Sequence, residues 1–218
     1  MVKERCKRKP VSKILGYRSF WGRDFEINEN VLDPRGDTET LIELILACKF
    51  KNMLELGTGS GAIAITVLAE RPDVTCVATD ISEYALKTAS TNSKRHGVES
   101  RLKLLHSNWF EKISGSFDVI VSNPPYINKF DLSRLDESVK IFEPYIAFEA
   151  GIDGLREITN LIIKSKKLLK KNGKLIFEIG QGQSLITKKI LNQNGYFINK
   201  VIKDISSIPR VIVSTNLI

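Results

Sequence analysis

Phe117-Asp118-Val119-Ile120-Val121-Ser122-Asn123-Pro124-Pro125-Tyr126 is the stretch on which the reading of this chain turns. Its first six residues form a short apolar run of the kind that makes a buried strand. Asn123 therefore stands at the carboxyl tip of that strand, where open α/β sheets bind ligands. Two successive prolines fix φ and remove two backbone donors, leaving an asparagine amide and bare carbonyls. Such a tip suits an incoming NH2 group, whose two hydrogens need acceptors; Asn123 Oδ1 and the Pro124 carbonyl are the candidates. Asn-Pro also marks ordinary turns, so the tetrapeptide alone leaves a plain strand-to-turn junction open.

Outward from this stretch, strand and helix patterns alternate. The apolar runs predict strands over 52–56, 74–79, 101–106, 117–122 and 173–179, with helices over 60–70, 82–96, 155–171 and 183–194. Short apolar strands between amphipathic helices imply a parallel sheet covered on both faces. Segments 196–204 and 209–216 read as two closing strands, and residues 127–218 as largely consumed by elements that complete the sheet. Upstream, Ile14–Phe20 and Asp24–Asn28 flank Trp21-Gly22-Arg23 as a β-hairpin, and Asp37-Thr38-Glu39 opens a short apolar helix. Residues 1–13 are basic and are expected to be mobile. The organisation expected is a segment 1–50 holding the basic residues, hairpin and linking helix, followed by one α/β domain over 51–218.

Met53-Leu54-Glu55-Leu56-Gly57-Thr58-Gly59-Ser60-Gly61 ends the first strand of that series and opens a helix. Three glycines let a backbone turn sharply and approach a ligand closely. Their G-x-G-x-G spacing differs from the G-x-G-x-x-G of dinucleotide-binding turns. Asp80, about 20 residues on, is placed to accept both hydroxyls of a ribose. Ribose recognition without a pyrophosphate turn fits S-adenosylmethionine. Asn108 and Trp109, after the next strand, are placed to frame an adenine. Each residue also has a plainer reading: Gly61 as a helix-packing glycine, Asp80 as a helix cap, Trp109 as core.

Composition narrows the alternatives. The chain has 218 residues and a net charge of +8, with the basic residues scattered along helical faces in the manner of solvated surface. Cys6, Cys48 and Cys76 are odd in number and far apart, which supports neither a disulfide framework nor a metal site and implies a reducing cytoplasm. No run approaches the length of a membrane span. His96 and His106 neighbour no candidate nucleophile, which leaves serine-histidine and cysteine-histidine catalysis without support.

Taken together, Leu54–Ala64, Asp80, Ser107-Asn108-Trp109-Phe110 and Val119–Ile127 resemble the HemK/PrmC-type protein-(glutamine-N5) methyltransferases of peptide chain release factors. The resemblance extends to Pro34-Arg35 with Thr38-Glu39, Glu143-Pro144, Gly151 with Asp153-Gly154-Leu155, and Glu178-Ile179-Gly180 with Gln183. It implies a class I S-adenosylmethionine-dependent fold, Rossmann-like, with a mostly parallel seven-stranded sheet and a short N-terminal hairpin extension. It implies cofactor binding by Glu55, Gly57, Thr58, Gly59, Ser60, Gly61, Asp80, Asn108, Trp109 and Asn123. Catalysis falls to Asn123, Pro124 and Tyr126, and substrate binding to those three with Pro125; no metal is called for. The expected partner is a peptide chain release factor methylated on its Gly-Gly-Gln glutamine by a cytoplasmic monomer, with no membrane association; direct nucleic-acid contact is not part of this reading but stays open. Alternatives are N6-adenine methylation of RNA, with the flipped base stacked on Tyr126, and a catalytically weak S-adenosylmethionine-binding module. Three departures stand out: the family's usual N-terminal helical docking domain is absent from this chain, Asp33 and Gly36 replace an apolar residue and a proline, and Asn108 replaces a common aspartate.

Overall fold

Strands buried on both faces need helices above and below, and the computed structural model, which describes residues 1–217, supplies them. β3 (Asn52–Leu56), β4 (Thr75–Asp80), β5 (Leu102–His106), β6 (Phe117–Ser122) and β7 (Leu169–Glu178) run parallel in the order β5-β4-β3-β6-β7. β9 (Pro209–Asn216) adds antiparallel to β7, and β8 (Tyr196–Lys203) adds antiparallel to β9, giving seven strands. Side chains alternate across this sheet. Met53, Val119, Val121 and Ile176 pack on one face with α3 (Glu39–Leu46) and α4 (Ala62–Glu70). Leu54, Leu56, Ile120, Leu175 and Phe177 pack on the other with α7 (Arg156–Ser165) and α8 (Ser184–Gln193). The helix α5 (Glu83–Arg95) starts at Ser82, whose hydroxyl caps it by accepting from Ala85 N at 3.2 Å.

The hairpin of β1 (Tyr17–Phe20) and β2 (Arg23–Glu26) closes through Trp21 and Gly22, both at positive φ, the geometry of a two-residue turn whose twist matches the strands. Phe20 and Phe25 bury into the α3–α4 core. Asn92 of α5 clamps the hairpin by accepting from Glu26 N at 2.7 Å and donating to Glu26 O at 3.0 Å.

Three expectations need correction. The basic residues 1–13 form α1 (Val2–Cys6) and open α2 (Val11–Leu15), and α2 is anchored rather than free. Lys13 donates to the carbonyls of Asn28 and Val31 and lies 3.1 Å from Glu143, with side-chain exposures of 3% and 1% for the ion pair. Helix 155–171 stops at Ser165, because Leu168 and Leu169 must turn back to the sheet, where Phe117 N donates to Leu168 O at 2.8 Å. The extra residues are taken up in β7, whose pairing steps from Phe117↔Leu169 to Val119↔Lys174 around a left-handed Asn172. Residues 127–154 do not complete the sheet; they leave it as an excursion with α6 (Glu137–Phe142), held at its base by a bridge between Ile127 and Glu149.

Candidate functional site

The strand order reverses between β3 and β6, which are joined tip to tip by Ser122 Oγ donating to Leu56 O at 2.9 Å. Loops leaving two such strands diverge to opposite sides, opening a crevice. A cavity of about 310 Å³ lies there. It gathers Gly57, Gly59, Asp80, Asn108, Trp109, Asn123 and Pro125, seven of the residues singled out from sequence. A second hollow of about 380 Å³, at the opposite ends of β3 and β4, is lined by Asn52, Thr75 and Arg101 and holds none of them.

The glycine turn is shaped by what lies beneath it. Glu55, fully buried on the α4 side, accepts from Thr58 Oγ1 at 2.7 Å and from Ala64 N at 3.1 Å. It thereby braces the loop from below and does not line the cavity; nor do Thr58, Ser60 and Gly61. Gly57 and Gly59 do, both at positive φ, and an added Cβ at either would meet no protein atom within 4 Å. Asp80 spans the turn, accepting from Gly59 N and Ser82 N, each at 2.9 Å. Burial raises its pKa against the pull of these backbone hydrogen bonds. Trp109 holds a left-handed φ of 51°, a conformation a bulky residue adopts only when its surroundings enforce it. Ser107 contributes, donating from Oγ to Trp109 O at 3.1 Å.

At the β6 tip, Asn123 Nδ2 donates to Thr38 Oγ1 at 3.4 Å. Pro124 is buried behind the rim. Tyr126 packs its ring against the α7–α8 core, and burial pushes its phenol up to about 12. Its carbonyl accepts from Gln183 Nε2 at 2.9 Å, so a side chain on the β7–α8 turn fixes the backbone of the Asn-Pro-Pro-Tyr corner. Neither Pro124 nor Tyr126 lines the cavity.

Two walls were given no role in the sequence reading: Asn30–Leu32, and the loop carrying Pro144, Ile146, Ala147 and Glu149, of which only Pro144 entered the resemblance. Glu143 ties them together. Besides Lys13, it accepts from Asp33 N at 3.2 Å and faces Arg35 at 3.5 Å. Removing one member of such a buried pair leaves an uncompensated charge. Glu143-Pro144 and Lys13 lie far apart in sequence, and only the motif around Pro144 was visible beforehand. Asp33 also accepts from Ser12 Oγ at 2.5 Å, so the polar residue at this position serves to dock α2.

The buried carboxylates make stability depend on pH. Burial raises Glu55 to about 8, against the hydrogen bonds from Thr58 and Ala64, with Asp80 adding to the rise. Because its folded value lies above the ordinary value of 4.5, the folded state binds the proton more tightly than the unfolded chain. That contribution is fully present below the unfolded pKa and is lost as pH rises through the folded one. The thermal midpoint should therefore fall between about pH 5 and about pH 9, and Glu55→Gln should flatten the fall. A midpoint that rises across this window in calorimetric scans would contradict the assignment.

Comparison with known proteins agrees with this geometry. Residues 30–139 match the model of the methyltransferase small domain. A release factor glutamine methyltransferase of Cereibacter sphaeroides is 40% identical over 208 residues, covering 95% of this chain and 75% of that protein. A bifunctional methyltransferase of Rickettsia prowazekii is 39% identical over 235 residues, covering 97% of this chain; the chain spans only 45% of that longer relative. A methyltransferase of Pyrococcus furiosus, 19% identical, superposes with a TM-score of 0.70 over 99% of this chain and the whole of that one, which shows the shared fold. The fold is thus the Rossmann-like class I methyltransferase fold, and the chain belongs to the release factor glutamine methyltransferase family.

Proposed function

We propose that this chain methylates the side-chain amide nitrogen (N5) of a glutamine, that of the Gly-Gly-Gln motif of peptide chain release factors, with S-adenosylmethionine as donor. The observation that carries the proposal is the position of the Asn123 amide on the wall of the switch-point cavity that also holds Gly57, Gly59 and Asp80. The relatives named above support the same reading.

The residues present fit the donor. Gly57 and Gly59 leave open space along the cavity wall, where side chains would intrude on a ligand. Asp80 lines the cavity with a carboxylate for ribose hydroxyls, and Asn108 and Trp109 line it for the base. When bound, S-adenosylmethionine supplies a methyl group already activated by a positively charged sulfur. What remains for the protein is to position the acceptor. An amide nitrogen has its lone pair delocalised. Asn123 Oδ1 and the adjoining Pro124 carbonyl accept its two hydrogens and so hold the nitrogen facing the donor, while Pro125 walls the planar group and Tyr126 anchors the corner from the core side. These acceptors are pre-organised by the prolines and by Gln183, so little rearrangement accompanies reaction. No side chain is assigned as general base, because the electrophile requires no proton removal before the carbon–nitrogen bond forms.

The test is to incubate a purified release factor and, separately, RNA with the chain and methyl-labelled donor, then to map the label by mass spectrometry. One methyl on the Gly-Gly-Gln glutamine is the expected result. Label in RNA, or none on that peptide, would contradict the proposal.

A further inference from the structure

The hollow at the far end of the sheet follows from the way the chain connects its strands. β5 joins β6 through residues 107–116, a link that contains no helix, so this crossover lays no helix over β4 and β5. Trp109, Phe110 and Ile113 pack against the α7–α8 core, whereas Ser114, Gly115 and Ser116 run exposed along the hollow. Val77 and Lys103, register partners on neighbouring strands, are left half-buried and exposed as its floor. The resulting space of about 380 Å³ is of the size that small-molecule sites have, and it shares no lining residue with the donor cavity.

Its lining is cationic and rich in hydrogen-bond donors. No aspartate or glutamate lines it. The carboxylates that adjoin it are engaged elsewhere: Asp73 meets Lys51 at 2.8 Å and Arg71 at 3.0 Å, and Asp118 meets Lys170 at 2.7 Å. Neither Lys103 nor Arg101 pairs with a carboxylate among the described residues; Arg101 donates only to the carbonyls of Leu68, Arg71 and Val74, at 2.7, 2.9 and 3.1 Å. Thr75 Oγ1 donates to Asn52 Oδ1 at 3.0 Å, which holds the Asn52 amide while its NH2 has no acceptor among the described residues. The backbone N–H groups of Ser114, Gly115 and Ser116, around a left-handed Gly115, also find no acceptor among the described residues. Successive unpaired N–H groups in a turn are a recurrent way for a chain to receive an anion.

A solvated lysine alone is ordinary. Here one faces an idle amide, the hydroxyls of Ser100, Ser114 and Ser116, and three unpaired N–H groups across one hollow. These donors come from the sheet floor, the strand ends and the 114–116 loop, a spread of directions that suits the tetrahedral oxygens of a phosphate better than a planar carboxylate. We propose that this hollow is a second binding site, for a phosphate-bearing anion. The proposal is independent of the function assigned to the cavity between β3 and β6.

The phosphate belongs either to a free small molecule or to a nucleic-acid backbone, and the probes separate the two. Inorganic phosphate, ribose 5-phosphate and a six-nucleotide oligouridylate are titrated at constant ionic strength into the full chain labelled with nitrogen-15. The backbone signals of Ser114, Gly115, Ser116 and Lys103 should shift saturably. Lys103→Glu should weaken binding at least about tenfold and Lys103→Arg should keep most of it. Lys189→Glu, which changes the net charge equally on exposed α8, should leave it within about twofold. Equal binding of the three probes assigns a free phosphorylated ligand; oligouridylate bound at least about tenfold more tightly, with steep weakening as salt rises, assigns a nucleic-acid backbone. Both results uphold the site. The proposal is overturned by the absence of a saturable shift at these residues with every probe, by undiminished binding in Lys103→Glu, or by an equal loss in Lys189→Glu.

Discussion

Asn123→Ala is expected to lower kcat by at least about 10²-fold while changing the affinity for S-adenosylmethionine only a few-fold. On the proposed function the substitution deletes the acceptor for the reacting nitrogen, and it takes nothing from Asp80, Gly57 or Gly59, which line the same cavity. Loss of one pre-organised hydrogen-bonding group at a reacting centre costs that order of rate in other enzymes. Stability should change little, because the only hydrogen bond the side chain makes among the described residues is its long contact of 3.4 Å to Thr38. Single-turnover kinetics, with calorimetric titration of the donor, separate the two quantities. Near-normal turnover would remove Asn123 from its role.

Gly154→Ala should be among the most damaging single-methyl additions in the chain, although Gly154 stands outside the cavity. Its φ of +74° is one that alanine adopts only at a cost of about 1–2 kcal/mol. The new Cβ would also lie 2.5 Å from Tyr126 O, 2.9 Å from Gln183 Nε2 and 3.1 Å from Asn128 N. It would therefore drive apart Gln183 and the two carbonyls it holds, Tyr126 at 2.9 Å and Gly154 at 3.1 Å. Strain and crowding together should cost about 2–4 kcal/mol, and the displaced Tyr126 carbonyl should carry the Asn-Pro-Pro-Tyr corner with it and depress turnover. Gly97→Ala is the control: its φ is +66° with nothing within 4 Å of the new methyl, so only the conformational part should appear. Urea unfolding measures both, and equal losses in the two variants would mean that the close approach at Gly154 is easily relieved.

What could be read from sequence was whatever depends on neighbours along the chain. Strands 52–56 and 117–122 coincide with β3 and β6, because uninterrupted apolar runs between turn residues have few other uses in a sheet buried on both faces. Helix 155–171 overran its end because the lysines after Ser165 continue a polar helical face, while the requirement that Leu168 meet Phe117 comes from a strand about 50 residues earlier. The excursion over 127–154 was hidden for a related reason. Its short helices bury little of their own, and their placement depends on Glu143 meeting Lys13. Within the site, the glycines, Asp80 and Asn123 announce themselves by residue type at strand ends. Glu55 shares that position yet points beneath the loop, since side chains alternate along β3 and its neighbour Leu56 takes the opposite face. Thr38 meets Asn123 from 85 positions away, and no local pattern connects the two.

The central claim is that the crevice between β3 and β6 holds an activated methyl donor in front of the Asn123 corner. A crystal structure of the chain with S-adenosylmethionine tests it most directly. The account predicts ribose hydroxyls on Asp80, the base beside Asn108 and Trp109, and the methyl carbon directed at Asn123 with room for a planar amide between them. A donor seated elsewhere, or one whose methyl points away from Asn123, would contradict it.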